Sequence, residues 1–310
     1  MTAHDVPRAS AVRVAAQAKV NLRLRILARE ASGFHQLETL FLRLSLADDV
    51  LVRATGGARA LDVDGDVDPR LLGAPERNLA WRAADAYASV TGWPAGFAIE
   101  LTKRIPVGGG LGGGSADAGA VLRALDAMAP TPIGEPALLA IASTLGADVA
   151  FLASSSPYAL AWGRGERLLD LRVPDEREVL LVLPPFAINT AEAYGWLASG
   201  GDAGHDAPDS NGMLDADTLG DWQTIARLAT NDFEPVVAAR HPMIESVRTR
   251  LRELGCAPAM MSGSGSTLFG VLPHGASVHV PRFDGTLGGP PPRVLLTRTS
   301  VAVAPVVPVT

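Results

Sequence analysis

Cysteine is nearly absent from this chain of 310 residues, which contains only Cys256. A single cysteine excludes an intrachain disulfide framework and a metal site built from several cysteines. Long apolar runs are also missing, since none approaches the roughly 20 residues that span a bilayer. The first residues, "MTAHDVPRAS", show no apolar segment behind a basic start. We therefore expect a cytoplasmic protein without a membrane partner.

Lysine is the second scarce residue, because only Lys19 and Lys103 are lysine among 27 basic side chains. The net charge of -6 disfavours general binding to nucleic acid, so an anionic ligand must be met by a few local cations or by backbone N–H groups. A GC-rich genome explains the excess of arginine but not its two exceptions. A compact ammonium differs chemically from a planar guanidinium, and both lysines are therefore candidate functional residues.

Residues 12–26 predict a half-buried strand. In "VRVAAQAKVNLRLRI" the apolar residues share one parity and most polar residues share the other. This alternation places Lys19 and Asn21 side by side on the polar face. Strand and helix patterns are interleaved along the chain, which favours an α/β or α+β architecture. A shift in composition predicts a boundary between a domain of residues 1–155 and a domain of residues 156–310.

The most informative segment is "RIPVGGGLGGGSADAGAVL", which begins at Arg104 and holds six glycines between Gly108 and Gly114. A strand pattern, "FAIELTK", precedes it. A helical pattern follows, from about Ser115, its expected N-cap, to Met128. A glycine loop that leads into a helix N-terminus offers backbone N–H groups and a helix dipole to phosphate. The segment therefore predicts a triphosphate-binding loop.

Three other interpretations fit this segment less well. The P-loop pattern requires a lysine after its last glycine, where this chain has Ser115. The dinucleotide-binding pattern matches at Gly108, Gly110 and Gly113, but six glycines make such a match almost unavoidable. That motif also needs an early strand–turn–helix unit and an acidic residue about 20 positions later, and neither is evident. A flexible linker rarely separates a clean strand from an amphipathic helix.

No set of metal ligands is assigned from the sequence. The acidic segment "DVDGDVD" (Asp62–Asp68) resembles a calcium loop, but Val67 stands where an EF-hand needs glycine and Gly73 where it needs glutamate. We interpret this segment as a solvated hairpin turn. The segment "GGSAD" resembles a nucleophile elbow whose closing glycine is replaced by Asp117.

Several stretches together resemble the GHMP kinase superfamily, in family order and over about residues 15–272. They are "AKVNLRL", "GFHQLETLF", "IPVGGGLGGGSADA", "LGADVAFL", "GRGERL", "NDFEP" and "SGSGSTLFG". The resemblance implies an α+β fold of two domains, an N-terminal α/β domain (1–155) that binds ATP and a C-terminal α/β sandwich domain (156–310), with substrate between them. The motifs are most similar to the branch that phosphorylates the 2-hydroxyl of CDP-methylerythritol with ATP and Mg²⁺, in non-mevalonate isoprenoid synthesis.

The resemblance implies two catalytic residues. Asp148, in "LGADVAFL", matches the aspartate that accepts the hydroxyl proton, and Lys19, in "AKVNLRL", matches the active-site lysine. Phosphoryl transfer needs mainly positioning and charge stabilisation, together with such an acceptor. The helical pattern before Asp148 predicts that it lies just beyond a helix that ends near Gly146.

The resemblance also implies an ATP site around the glycine loop, with the Ser115 hydroxyl facing phosphate or magnesium. Lys103 and Asn78 match positions near the adenosine end, although a plain structural role for each stays open. Asp117 matches a position that carries Asn or Asp in the family, and we assign it no role. The expected ATP-binding residues are Asn78, Lys103, Pro106, Val107, Gly108, Gly109, Gly110, Leu111, Gly112, Gly113, Gly114, Ser115 and Ala116.

The cytidine end of the substrate is implied by further matches. Phe34 and His35 in "GFH" match a family "GYH", in which the aromatic ring stacks on cytosine and the histidine reads its polar edge. Phenylalanine keeps the stacking surface but lacks the hydroxyl. Thr190 and Tyr194, in "INTAEAY", match the opposite side of this pocket, where Tyr194 offers a second stacking face. Asn21 matches an asparagine that contacts substrate.

Other functions stay open at this point. A GHMP kinase that acts on homoserine or mevalonate would not be expected to need "GFH" or the pair of Thr190 and Tyr194. A non-catalytic nucleotide-binding protein would need neither Lys19 nor Asp148, and a Rossmann dehydrogenase fits least. The expected partners are ATP and CDP-methylerythritol and no nucleic acid, for a chain that is a monomer or a homodimer.

Overall fold

The computed structural model describes residues 10–29, 35–68, 73–199, 215–276, 283 and 290–309. These residues form a sheet of seven strands, a sheet of four strands and eight α-helices. No helix among them combines the length and the apolar character needed to cross a membrane. The combination of largely antiparallel sheets with helices confirms the predicted α+β class.

The larger sheet is built on two long antiparallel strands. Its members are β1 (Ala11–Arg29), β2 (His35–Thr55), β3 (Arg59–Gly65), β4 (Gly96–Lys103), β5 (Tyr158–Gly163), β6 (Arg167–Asp170) and β11 (Val306–Pro308). The main path runs β11–β1–β2–β4–β3, while β5 pairs with the other half of β2 and β6 pairs with β5. One edge strand of this sheet, β11, is therefore contributed by residues near the C-terminus.

The smaller sheet consists of the strands β7 (Glu178–Leu183), β8 (Ala259–Met261), β9 (Leu268–Val271) and β10 (Arg293–Arg298). It is antiparallel and runs in the order β10–β7–β9–β8. Val179 and Leu181 of β7 pack into the core of the larger sheet, while Leu180 and Val182 pack into a second core. Burial on both faces explains why this strand reads as a continuous apolar run rather than as an alternating pattern.

The helices divide between the two cores. They are α1 (Leu79–Thr91), α2 (Gly113–Met128), α3 (Glu135–Leu145), α4 (Ala147–Ala153), α5 (Thr190–Ser199), α6 (Trp222–Leu228), α7 (Phe233–Ala238) and α8 (Met243–Glu253). Helix α2 lies against β1 and β2, with α1 and α4 packed beside it, while α8 lies against β8 and β9. The apolar side chains of α5, α7 and α8 form the second core. Helix α2 thus carries the end of the glycine loop onto the larger sheet.

The predicted boundary at residue 155 does not coincide with the division between the two sheets. Strands β5 and β6 follow that position in the chain but belong to the larger sheet, as does β11. The reason is that β4 pairs only with residues 49–55 of β2, and β5 pairs with residues 37–42. The hairpin turn expected at Asp62–Asp68 is wrong, because residues up to Gly65 form β3, which pairs in parallel with β4.

The prediction that β1 is half-buried is wrong as well. The apolar parity is buried as expected, but the polar side chains of Gln17, Lys19, Asn21 and Arg23 are also buried, each at 7% exposure or less. Gln17 is covered by residues 300–304, to which it hydrogen bonds. The glycine loop and α4 contact Lys19. Polar residues on this face therefore serve as buried hydrogen-bonding groups rather than as a solvated surface.

The contacts of Gln17 predict that this side chain anchors the C-terminal segment. Its amide exchanges hydrogen bonds of 2.8–3.1 Å with Ser300 Oγ, Ala302 O and Ala304 N. We expect Gln17→Ala to lower the free energy of unfolding by about 1–3 kcal/mol, because buried partners lose their bonds. Arg13→Ala, which removes an exposed ion pair with Asp49, should cost at most about 1 kcal/mol. Equal urea unfolding curves for wild type and Gln17→Ala would contradict the anchoring role.

Candidate active site

The glycine loop connects β4 to α2 and packs against a second loop from the other half of the chain. Gly108, Gly110 and Gly112 have φ between +72° and +77°, where only glycine is unstrained. A Cβ atom at Gly110 would also lie 2.1 Å from the carbonyl oxygen of Ser262. The Ser262 hydroxyl donates to the Gly110 carbonyl at 2.9 Å, and Thr267 N donates to Gly109 O. The glycines therefore permit both the backbone path and the close approach of "SGSGST".

Helix α2 begins at Gly113, and its N-cap is Gly112, without a side-chain cap. The predicted N-cap, Ser115, is wrong, since Ser115 lies within the first turn. The left-handed conformation of Gly112 places the N-cap three residues earlier than the predicted Ser115. No described side chain caps this helix end, and a helix N-terminus without a cap is suited to bind an anion.

A cavity of about 240 Å³ lies against this loop. The predicted ATP-binding residues that line it are Asn78, Lys103, Pro106, Val107, Gly108, Gly109, Gly110, Leu111, Gly112, Gly113 and Gly114. Ser115 and Ala116 do not line it, and Ala116 is buried. The structure therefore brings most of the predicted ATP-binding set together around one cavity.

Lys103 lies between two buried carboxylates at the entrance to the loop. Its ammonium contacts Asp48 and Asp117, and the other oxygen of Asp48 accepts from the N–H groups of Arg104 and Ile105. Asp48 and Lys103 thus join the end of β4 to α2, across the base of the glycine loop. Asn78 likewise has a structural contact, since its side chain accepts from Ala80 N and caps α1. The structural interpretation that stayed open for Lys103 and Asn78 is compatible with these contacts.

One ammonium between two buried carboxylates leaves an excess of negative charge. Burial raises the pKa of Asp117 to about 7; the charge of Lys103 opposes this shift and that of Asp48 adds to it. Burial acts to lower the pKa of Lys103, but the charges of Asp117 and Asp48 outweigh it and the pKa is raised. Asp117 Oδ1 has no hydrogen-bond partner among the described residues. This oxygen belongs to a side chain that lines the cavity, where a cation would find an acceptor.

Lys19 is the point at which the loop, β1 and α4 meet. Its ammonium donates to Asn21 Oδ1 at 2.7 Å and to the Gly110 carbonyl at 3.0 Å, and it lies 3.1 Å from Asp148 Oδ2. Lys19 N also donates to Leu111 O. The structure therefore brings together three residues that the sequence predicted for the site, Lys19, Asn21 and Asp148.

Helix α3 ends at Leu145, so Asp148 lies just beyond that helix as predicted, but it also lies in the first turn of α4, a separate helix that the sequence did not indicate. Gly146 separates the two helices. Placement in a first turn is favourable for a carboxylate, because the helix dipole is positive there. The Asp148 side chain is 31% exposed while that of Lys19 is 3% exposed. The carboxylate therefore remains accessible beside a buried cation.

Two of the residues expected at the cytidine end, His35 and Tyr194, line a larger cavity of about 1040 Å³. Their rings stack on each other, with centroids 4.3 Å apart. Burial and the charge of Asp148 raise the pKa of Tyr194. Thr190 Oγ1 lies 2.9 Å from Ser264 Oγ. Phe34 lies outside the described residues.

The amide of Asn21, predicted to contact substrate, is engaged within the protein. Its Oδ1 accepts from Lys19, and its Nδ2 donates to Thr39 Oγ1 at 2.8 Å. The residue is 2% exposed. In this structure Asn21 therefore orients the Lys19 ammonium.

Sequence reasoning missed Asp48, Thr39 and the contact of Ser262 with the glycine loop. Asp48 stands 55 residues before Lys103, and no local motif marks it. The "SGSGST" segment entered only as part of the resemblance, although its small residues and glycines signal a tight loop. Gly263 and Gly265 have φ of +57° and +93°, which agrees with that signal.

The close approach at Gly110 generates a test of the loop. We expect Gly110→Ala to raise the Kd for ATP at least tenfold, because the methyl group meets the Ser262 carbonyl and φ is +77°. Gly56→Ala is the matched control, since no atom lies within 4 Å of its Cβ position. Isothermal titration calorimetry of both variants decides the matter, and wild-type affinity in Gly110→Ala would show that the loop does not bind ATP.

Two segments of the chain match families of known proteins. Residues 78–159 match "GHMP kinases N terminal domain", and residues 214–279 match "GHMP kinases C terminal". The first segment contains the glycine loop and Asp148, and the second contains the loop that packs on it. A crystal structure of homoserine kinase from Cytophaga hutchinsonii has the same fold, with a TM-score of 0.70 at 18% identity over 99% of this chain and 100% of that chain.

Closer similarity is found to one kind of GHMP kinase. The 4-diphosphocytidyl-2-C-methyl-D-erythritol kinase of Nitratidesulfovibrio vulgaris is 37% identical over 266 residues, which cover 84% of this chain and 90% of that protein. A crystal structure of 4-(cytidine 5'-diphospho)-2C-methyl-D-erythritol kinase is 35% identical, with a TM-score of 0.65, over 84% of this chain and 89% of that chain. The predicted resemblance is confirmed, and the chain belongs to the 4-diphosphocytidyl-2-C-methyl-D-erythritol kinase family of the GHMP kinases.

Proposed function

We propose that this chain transfers the γ-phosphoryl group of ATP to the 2-hydroxyl of 4-diphosphocytidyl-2-C-methyl-D-erythritol, a step in isoprenoid precursor synthesis, with Asp148 and Lys19 at the reacting centre. The observation that carries this proposal is the Lys19 ammonium, which contacts both the glycine loop and the Asp148 carboxylate. A phosphate-binding loop and a proton acceptor therefore share one buried cation. A protein that only binds a nucleotide would need the loop but not this pair.

The glycine loop and the N-terminus of α2 are proposed to bind the ATP phosphates. The first N–H groups of a helix have no acceptor within the helix, and the helix dipole favours negative charge at that end. The absence of a side-chain cap on α2 leaves these donors to a ligand. Backbone donors also explain how a chain with net charge -6 binds a triphosphate without a P-loop lysine.

Asp148 is proposed to accept the proton of the reacting hydroxyl. As the hydroxyl oxygen bonds to the γ-phosphorus, its proton passes to a carboxylate oxygen of Asp148, and the bond to the bridging oxygen breaks to release ADP. The Lys19 ammonium fixes the carboxylate at 3.1 Å and stabilises the negative charge on the transferring group. Because Asn21 and Gly110 also hold this ammonium, it is oriented before substrate binds.

Mg²⁺ is the proposed cation partner of ATP, and the oxygen atoms near the loop fit it. This ion prefers oxygen ligands and is usually bound through substrate phosphates and one or two carboxylates. Asp117 Oδ1, which has no described hydrogen-bond partner and belongs to a side chain at the cavity, would hold it. When bound, the ion neutralises charge on the β- and γ-phosphates.

The cytidine ring is proposed to bind beside His35 and Tyr194. Proteins recognise an unpaired base by stacking it on aromatic rings and by hydrogen bonding to its polar edge. These two side chains supply ring surfaces at the wall of the larger cavity, and Ala147, the residue before Asp148, lines the same cavity. The cavity therefore extends from the aromatic pair towards the proposed acceptor of the hydroxyl proton.

The test of the proposed substrate is a comparison of three alcohols. ADP release by the purified protein is measured with ATP, Mg²⁺ and either 4-diphosphocytidyl-2-C-methyl-D-erythritol, homoserine or mevalonate. We expect turnover only with the cytidine compound. Equal or faster turnover with homoserine or mevalonate would overturn the cytidine pocket, and ATP binding without turnover of any alcohol would favour a nucleotide-binding protein.

The role of Asp148 predicts the effect of its removal. We expect Asp148→Ala to lower kcat by about 10²–10⁴-fold, because that is the usual contribution of proton transfer to a side chain, while the KM for ATP changes little. Asp85→Ala is the control, since Asp85, on α1, forms an exposed ion pair with Arg59 on β3. Steady-state kinetics of a folded Asp148→Ala with near wild-type kcat would contradict the assignment.

A further inference from the structure

Arg43 is a buried cation that the chemistry above does not use. It lies on β2 and is 1% exposed, with its guanidinium 5.0 Å from the ring centroid of Phe151. Within the described part of the chain its side-chain donors reach backbone carbonyls only: Nε donates to Ser156 O at 3.0 Å, and Nη2 donates to Phe151 O at 2.8 Å and Ser154 O at 3.0 Å. Among the described residues no carboxylate forms an ion pair with it. Arg43 is therefore used for backbone geometry rather than for charge pairing.

Two of these carbonyls, those of Phe151 and the C-cap Ser154, lie at the C-terminal end of α4, the helix whose first turn carries Asp148. Ser156 follows two residues beyond the C-cap. The last carbonyls of a helix have no donor within the helix, and a positive charge is favourable there. Helix α4 has seven residues, too few to be stable without tertiary contacts. Gly146 at its N-terminal end provides no side-chain cap. The position of α4 therefore depends on groups outside the helix, and Arg43 is one of them.

The register of β1 and β2 places a second anchor directly beside the first. Lys19 and Arg43 are opposite each other in this ladder, so their side chains project from the same face of the sheet. Lys19 reaches Asp148 at one end of α4, while Arg43 reaches the carbonyl of Phe151 near the other end. The rings of Phe41 on β2 and Phe151 on α4 stack with centroids 4.9 Å apart, which adds a contact between this strand and this helix. Lys19 and Arg43 thus contact the two ends of α4.

If Arg43 served stability alone, a buried guanidinium would be unfavourable at this position, because a charge must be removed from water. Burial lowers the pKa of Arg43 to about 9, with a further contribution from the charge of Arg123, which reports the cost of keeping the cation away from water. A buried charge is often replaced by an apolar side chain of similar volume without loss of stability. What an apolar side chain cannot supply is a planar fork of donors that holds three carbonyls at once.

We infer that Arg43 is a positioning residue for phosphoryl transfer. By holding the C-terminal end of α4, it fixes the Asp148 carboxylate relative to the Lys19 ammonium. Arg43 itself touches none of the reacting groups. The inference rests on the proposed role of Asp148 as the acceptor of the hydroxyl proton, and a displacement of about 1 Å in such a group can cost about 10²-fold in rate.

The test compares Arg43→Met, Arg43→Lys and the control Arg123→Met. Arg123 is a second, partly buried arginine that donates to a backbone carbonyl, that of Ala304, and among the described residues it forms no hydrogen bond to α4. We expect Arg43→Met to lower kcat by about 10- to 100-fold, with the KM for ATP and for the cytidine substrate within about twofold of wild type. Arg43→Lys should recover part of this loss, because an ammonium still donates to carbonyls. Arg123→Met should keep its kcat.

Two further measurements separate the outcomes. They are urea unfolding of each variant and the turnover of Asp148→Ala in the same kinetic assay. A folded Arg43→Met with wild-type kcat overturns the inference, even if its unfolding midpoint is lowered, because Arg43 then contributes to stability alone. If Arg43→Met does not fold, Arg43→Lys decides by the same criterion: reduced kcat at unchanged KM supports the inference, and wild-type kcat overturns it. If Asp148→Ala retains its turnover, the proposed function fails. If Asp148→Ala loses turnover and Arg43→Met does not, only the role of Arg43 fails.

Discussion

The Lys19 ammonium uses its donors on three separate parts of the chain: Asn21 on its own strand, the Gly110 carbonyl of the glycine loop, and Asp148 on α4. A charge that is 2% exposed must be paired and hydrogen bonded, because an unpaired buried cation is too costly to persist. An ammonium has three donors, and each of them has a partner here. Lys19 therefore connects the phosphate-binding loop to the proposed proton acceptor, and the rest of the site is arranged around this contact.

The glycine loop is held at its base and along its length. Asp48 and Lys103 join the end of β4 to Asp117 on α2, and the "SGSGST" loop, which follows β8, packs on the glycines. The loop is therefore fixed by residues from both halves of the chain before any ligand binds. Donors that are oriented in advance need no reorganisation during the reaction, and this is the main source of electrostatic stabilisation in enzymes.

Local patterns in the sequence predicted the elements that depend on local chemistry. The strand β1, the glycine loop and the helix after it are all present. The scarcity of lysine indicated Lys19 and Lys103 as functional residues, and both lie at the glycine loop. Periodicity could not reveal that the polar face of β1 is buried, because that burial depends on segments more than 90 residues away, such as Gly110 and residues 300–304. For the same reason, the sequence did not predict the contact of Asp48 with Lys103, or that β5, β6 and β11 belong to the larger sheet.

The most direct measurement of the central claim is a crystal structure with a non-hydrolysable ATP analogue, Mg²⁺ and 4-diphosphocytidyl-2-C-methyl-D-erythritol. The decisive quantity is the distance from the 2-hydroxyl oxygen of the substrate to the Asp148 carboxylate. The proposed mechanism predicts hydrogen-bond contact, within about 3.2 Å, with the Lys19 ammonium still bound to Gly110 and the γ-phosphate on the glycine loop. A hydroxyl oxygen that contacts another side chain and lies beyond the reach of Asp148, directly or through one water, would contradict it.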